Sequence, residues 1–372
     1  MKKVFVLAVL GLFFVSCLGQ SATGNNSYKG IELEEWKKVL EMGTIREKQL
    51  AVEAMGNIGN PGAEEIILPL LESDNRQLRL SAVWALGQLK SNRAAEQIVW
   101  MLGSENDPRV DGALVNIGDA ATKWLKVKLK LASMMGAYDE GIRIARIMVD
   151  IQSPEGLAEV AWFLSDLLSD SSKSGKAREM LSQIGDKAVE PLIISLKNTN
   201  DEKLKINILR TLALIGNQKA LNTFYSYVSD PNPTIRSIVA NALGKIKADE
   251  NTDFLIAMLR DTNEEVRTQA IISLGELRDT RSVVYLLSSL EDESPIIRAM
   301  AAYSLGMIQD VRAVYPLINL LDDKTTLTVS DPTTGETQQA AVSDFAAKAL
   351  IKINDPRGIE ALKERGFTKY EE

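Results

Sequence analysis

The chain has no histidine among its 372 residues. That absence removes histidine general bases, histidine-activated nucleophiles and histidine metal ligands together. There is one cysteine, Cys17, which excludes an intramolecular disulfide and any cysteine-rich metal site. No cofactor and no metal are therefore expected. Aromatic residues make up only 6% of the chain, and positive charge is in deficit, with a net charge of −7. Nucleic acid is not an expected partner, because phosphate binding favours a net basic surface. Long apolar runs are also missing. The longest near the N-terminus, VFVLAVLGLFFV, reaches only from Val4 to Val15, too short for a comfortable membrane span.

That run follows a basic MKK and precedes FVSC, with the small Ser16 directly before Cys17. The arrangement resembles a bacterial lipoprotein signal, with Phe14 where leucine is usual. The resemblance implies that residues 1–16 are a signal peptide and that the chain is cut before Cys17, which then carries a lipid. The lipid on Cys17 would be the only membrane contact. Residues 17–29 include LGQSATGNNS, small and polar, which reads as a flexible tether. Localisation is then the bacterial cell envelope, on the periplasmic side or the cell surface.

What fills the rest, 30–372, is a repeat. Aligning on A/S-L-G gives Gly56, Gly87, Gly244, Gly275 and Gly306, and the same slot holds Val115, Val149, Ser182, Ala213 and Ile351. From Ser182 through Ala213, Gly244 and Gly275 to Gly306 the slots are evenly spaced, four equal steps in succession. A fixed period of this size, within about 20–50 residues, signals a repeat architecture such as a solenoid. Within each unit, apolar residues recur at helical spacing on both sides of a short break, as in EEVRTQAIISLGEL followed by RSVVYLLSSL. Four positions after the glycine slot stand Asn60, Ser91, Asp119, Ser153, Asp186, Asn217, Asp279, Asp310 and Asp355, with Ala248 the exception. These side chains suit the N-cap of a second helix. Prolines in ILPL, VEPL and VYPL fall early in that helix, where proline is tolerated. The expected fold is all-α: a superhelical α-solenoid of about ten stacked helix pairs. A capping helix covers its N-terminus, and the repeats at 105–174 are irregular. The Thr-rich segment 323–343 breaks the rhythm as an insert, read as a small β-hairpin near 324–343 around SDPTTG.

DTNEEVRTQAIISLGELRD and DESPIIRAMAAYSLGMIQDVRAVYPLINLLDD resemble HEAT-like repeats of the short bacterial type also named after phycobilisome lyases. The resemblance implies convex first helices, concave second helices and mostly protein-binding scaffolds. Some HEAT proteins are enzymes. Deoxyhypusine hydroxylase-like members need histidines for iron, and alkylpurine glycosylase-like members need a basic DNA cleft. Bilin lyase-like activity fits poorly with export.

Asp230, Asp261 and Asp292 recur at one fixed distance before Gly244, Gly275 and Gly306. Arg79, Arg236, Arg267 and Arg298 recur at a second, closer one before the same slot. Repetition in register favours a structural ladder, with Asp capping the first helix and Arg reaching a neighbouring repeat. Candidate partner contacts are Trp100, Trp124 and Trp162 in the irregular region, because tryptophan is enriched at binding hot spots. Thr333 and Thr334, at the turn of the insert, are the others. The function these features imply is a non-catalytic scaffold or adaptor that binds another protein. The alternatives are a periplasmic enzyme or carbohydrate-binding protein built on paired carboxylates about 5–10 Å apart, or a lyase-like HEAT protein.

Overall fold

Residues 27–330 and 337–367 are described by a computed structural model. A two-residue hairpin, β1 (Ser27–Tyr28) against β2 (Ile31–Glu32), leads into α1 (Leu33–Met42). Ten helix pairs follow among the described residues. The first four are α2 (Ile45–Ile58) with α3 (Gly62–Ile67), α4 (Arg76–Gln88) with α5 (Ala95–Met101), α6 (Pro108–Ile117) with α7 (Asp119–Met134), and α8 (Tyr138–Ile151) with α9 (Pro154–Leu167). The next three are α10 (Ser174–Ile184) with α11 (Asp186–Asn198), α12 (Glu202–Ile215) with α13 (Leu221–Ser226), and α14 (Pro233–Lys245) with α15 (Asn251–Met258). The last three are α16 (Glu264–Leu277) with α17 (Val283–Ser289), α18 (Pro295–Ile308) with α19 (Val314–Leu320), and α20 (Val342–Ile353) with α21 (Pro356–Glu364). First helices are thus even-numbered and second helices odd. The chain divides into two units, one to Asp166 and one from Leu167; each is an α-solenoid of stacked helix pairs.

The core of each pair is the set of apolar positions that the periodicity marks. In α16 these are Val266, Ala270, Ile271 and Leu274, and in α17 they are Val283 and Leu286, all buried. The glycines sit where consecutive first helices touch. A Cβ on Gly56 would lie 2.8 Å from Ala85 Cα, one on Gly87 2.6 Å from Ala113 Cα, and one on Gly306 2.8 Å from Ala349 Cα. Any side chain there would force the helices apart. The small residue that receives each glycine stands two positions before the next repeat's slot. Helix pairs whose slot holds Val115 or Ser182 touch over shorter stretches.

The cap slot works as expected at Ser91, Asn217, Asp279, Asp310 and Asp355. Their side chains accept from the N–H of Ala94, Lys219, Arg281, Arg312 and Arg357. It slips at Asp119 and Asp186, which are the first helical residues. There Gly118 and Gly185, with φ of 73° and 64°, occupy the cap position. Each glycine serves as the end of one helix and the start of the next, a conformation that suits glycine alone. Asp119 and Asp186 then favour the positive end of the helix dipole. The exception at Ala248 is compensated by Asn251. That residue is fully buried, and its amide donates to the Leu243 carbonyl at 2.9 Å, closing the end of α14. Pro191 lies inside α11, not at its first turn as the sequence suggests.

Between α19 and α20 the insert forms a hairpin. β3 (Thr326–Ser330) pairs antiparallel with β4 (Thr337–Ala341), with Thr326 opposite Ala341 and Ser330 opposite Thr337. Its base is tied by Val342 N–H to the Thr325 carbonyl and Ser343 N–H to the Asp323 carbonyl, both at 3.0 Å.

Candidate functional site

Arginines join one repeat to the next along the inter-repeat edge. Arg236 donates from Nε and Nη2 to the two carboxylate oxygens of Asp261, each at 2.7 Å, and from Nη1 to its own loop carbonyl at Asp230, 2.8 Å. Arg298 repeats this with Asp323 at 2.8 Å and the Asp292 carbonyl at 2.8 Å. Arg267 bonds the Asp261 carbonyl at 2.9 Å, while its Nε stands 3.8 Å from Asp292. In the first unit Arg79 reaches Glu105 at 2.7 Å. The aspartates do not cap the first helices as the sequence suggests. Asn232, Asn263 and Ser294 occupy those N-cap positions. The carboxylates of Asp230, Asp261 and Asp292 instead accept from the N–H of those three residues, at 2.8, 2.9 and 2.9 Å. Each aspartate shapes the loop that sets the cap, two residues ahead of it.

A second set of arginines, absent from the sequence reading, staples the opposite end of the pairs. Asp279, Asp310 and Asp355 each bind the arginine two residues on: Arg281, Arg312 and Arg357. Arg281 also donates to the Asp249 carbonyl and Arg312 to the Thr280 carbonyl, both at 2.8 Å and both one repeat back. The recurring Asp-x-Arg was the available signal. Hydrogen bonds from these arginines hold the carboxyls of Asp279 and Asp310 below the usual range.

In the irregular region the register reverses. Asp107 occupies the position before Val115 where the ladder arginine would stand. The arginine comes from the following repeat: Arg143 forks onto Asp111 at 2.7 and 2.9 Å and takes the carbonyls of Leu102 and Glu105, each at 3.0 Å.

The three candidate tryptophans all lie on second helices. Trp100 on α5 and Trp162 on α9 are 43% and 40% exposed. Trp124 on α7 is half-buried, with Lys123 Nζ 4.7 Å from its ring centre. Trp36 is wholly buried. In the second unit the exposed aromatics of the second helices are Tyr285 on α17 and Tyr315 on α19, at 45% and 61%. Tyr285 borders a groove of about 510 Å³ with Asp253, Arg260 and Asp292. Grooves of about 460 and 450 Å³ lie one repeat before and one after, lined by Asp261 and Asp323 respectively. The geometry is a periodic row of amphipathic grooves. Two of its carboxylates are engaged by the ladder arginines: Arg236 lowers the Asp261 carboxyl by hydrogen bonding. Burial pushes Asp323 upward, but hydrogen bonds from Arg298 and Thr325 outweigh it and the net shift is downward. A general acid at Asp261 or Asp323 would need the opposite displacement. Cys17, Thr333 and Thr334 lie outside the described residues.

Stacked helix pairs with small residues at the joints and charged staples along the edges define a helical-repeat protein. The chain belongs to the HEAT repeats family, which it matches over residues 33–117, 189–272 and 252–331. No curated protein matches it. Among solved structures it is similar to the karyopherin Kap121p. Kap121p bound to Nup53p aligns at 12% identity, covering 90% of this chain and 42% of that one, with a TM-score of 0.57. Kap121p bound to the SUMO protease Ulp1p aligns at 12% identity over 99% and 47%, with a TM-score of 0.58. This chain spans less than half the length of those karyopherins, and at that identity the likeness is one of fold.

Proposed function

We propose that the chain is a non-catalytic scaffold that binds another protein through its second-helix face. It is held in the bacterial cell envelope by a lipid on Cys17, after removal of residues 1–16, with 17–29 as the tether. The observation that carries the binding role is the row of grooves in the second unit, with Tyr285 exposed on the rim of one and Tyr315 exposed on the following second helix, against the Arg357 guanidinium. Aromatic side chains set next to amphipathic grooves supply large contact area at low entropic cost. The solved neighbours Kap121p–Nup53p and Kap121p–Ulp1p, a like fold holding protein partners, support the reading. The test is capture from an envelope extract by wild type and by the Tyr285→Ala/Tyr315→Ala double variant. A specific protein retained by wild type and held at least tenfold more weakly by the variant is expected. Equal retention would remove this face from the function.

A further inference from the structure

The longest described helix, α7, lies in the stretch that none of the HEAT matches reaches. Its inner face is ordinary: Ala121, Leu125, Leu129 and Ala132 are buried. Its outer face carries two rows, side by side. One is Lys123, Lys126 and Lys130, at i, i+3 and i+7. The other is Trp124, Val127, Leu131 and Met134, at i, i+3, i+7 and i+10. Val127 and Leu131 are 44% and 39% exposed. Met134 and Met135, at the turn into α8, are 75% and 80% exposed, more than any other large apolar side chain described. In a chain of net charge −7, α7 has four lysines and one acid, Asp119. Lys128 is turned inward to Glu140 at 3.1 Å, and Lys126 stands 3.7 Å from Glu155. Lys123 and Lys130 are exposed to solvent, and Asp139 is the exposed acid nearest the tip in sequence.

We infer that this face of α7 and the turn behind it dock on an anionic lipid surface. Met134, Met135 and Leu131 enter the headgroup–acyl boundary, and Lys123, Lys126 and Lys130 contact the lipid phosphates. A lysine row beside an apolar row is the pattern of a helix lying in a membrane interface, with its apolar face about 5–10 Å deep. Lysines next to an anionic leaflet are drawn to it electrostatically, so the row adds to the apolar contact. The protruding methionines point to a bilayer, which receives an exposed apolar tip without a matching groove, whereas a protein partner would need one. No described helix is long and apolar enough to cross the membrane, so α7 lies on the surface. The contact would orient the repeat body against the membrane, a role separate from the grooves of the second unit.

Binding to vesicles alone is no test, because the apolar run at 4–15 can hold the full chain to any bilayer. The single cysteine makes a local test possible. Full-length Cys17→Ser/Met134→Cys is labelled with an environment-sensitive fluorophore, and quenching by doxyl-labelled lipid is read on phosphatidylglycerol–phosphatidylcholine and on pure phosphatidylcholine vesicles. Quenching at 134 at least about fivefold greater on the anionic vesicles is expected. A Cys17→Ser/Asn57→Cys control, labelled at an exposed position on α2, should stay unquenched. Adding Lys123→Glu/Lys126→Glu/Lys130→Glu should abolish the signal; Lys→Gln at the same positions replaces it if the glutamates lower the melting temperature. A label at 134 that stays unquenched, quenches equally on both vesicles, or ignores the lysine substitutions overturns the inference. So does a label that responds to polyglutamate and not to vesicles, which would assign the face to an acidic protein.

Discussion

A Cβ built on Gly244 would stand 2.5 Å from the Cβ of Ser273 in the next repeat. Ser273 itself lies two residues before Gly275, whose own Cβ would meet Ser304 Oγ at 2.7 Å. The motif A/S-L-G is therefore one contact seen from both sides. Its glycine receives the following helix, and its alanine or serine enters the glycine of the preceding one. Ser273 adds a hydrogen bond across the joint, donating to the Ala240 carbonyl at 2.8 Å.

Gly244→Ala should therefore destabilise. Alanine gains about 1 kcal/mol of helix propensity, but overpacking a joint this close costs about 1–3 kcal/mol. A net loss of about 1 kcal/mol is expected in urea unfolding. Ser273→Gly opens space opposite, so the double variant should be less destabilised than the sum of the singles by about 1 kcal/mol. Strict additivity, or a rise in melting temperature for Gly244→Ala, would refute the close-contact reading.

The charged staples are unequal, and the inequality is testable. Arg236 makes two short bonds to Asp261, with both side chains largely buried, whereas Arg267 stands 3.8 Å from Asp292. Hydrogen bonds to charged groups contribute about 1.5–3 kcal/mol each. Arg236→Ala also leaves a largely buried carboxylate without its partner. It should cost about 2–3 kcal/mol, and Arg267→Ala about half as much. Calorimetry on the two variants decides the order.

Acid should dissolve the same contacts. The folded carboxyls of Asp107, Asp261, Asp279 and Asp310 are all depressed; hydrogen bonds from Arg109 bring Asp107 to about 2. An unfolded aspartate titrates near about 3.9. Stability from a depressed carboxyl is complete above the unfolded value and is lost as pH falls through the folded one. Urea midpoints should hold steady from neutral pH to about pH 5 and drop between about pH 4 and 2. Asp107→Asn should be less stable by about 1–2 kcal/mol at pH 7, with the gap closing toward pH 2. A gap that stays constant with pH would show that the charge on Asp107 contributes nothing.

Much of the fold was legible because its signals are local. Helical spacing around Val266 and Leu274, small bulk at Gly275 and a capping side chain at Asp279 each follow from nearby residues. Contacts between loops were not legible. Nothing adjacent to Asp261 says that Asn263 takes the cap and Arg236 takes the carboxylate. The close approach of Arg281 to the Asp249 carbonyl exists only after stacking. In the irregular region Asp107 breaks the ladder in sequence, while Arg143 restores it from the next repeat. The three tryptophans stand out by composition, whereas Tyr285 and Tyr315, as single exposed aromatics, leave no periodic trace in the sequence. Cys17, Thr333 and Thr334 stand as sequence inferences.

The insert can be tested only if its first residue is spared. Asp323 belongs to the staples as well as to the insert, since Arg298 bonds it at 2.8 Å and its carbonyl receives Ser343 N–H at 3.0 Å. Removing 323–343 would break the last rung of the ladder and confuse loss of a partner with loss of structure. Replacing 326–341 by a short Gly-Ser turn keeps Asp323, Thr325 and Val342. That variant should melt within about 2 °C of wild type, because a two-stranded hairpin contributes little stability by itself. The longer deletion should lose about 1.5–3 kcal/mol more. If the shorter variant still captures the partner that Tyr285→Ala/Tyr315→Ala releases, binding belongs to the second-helix grooves. If it releases the partner while melting like wild type, the hairpin is the contact and the groove proposal fails.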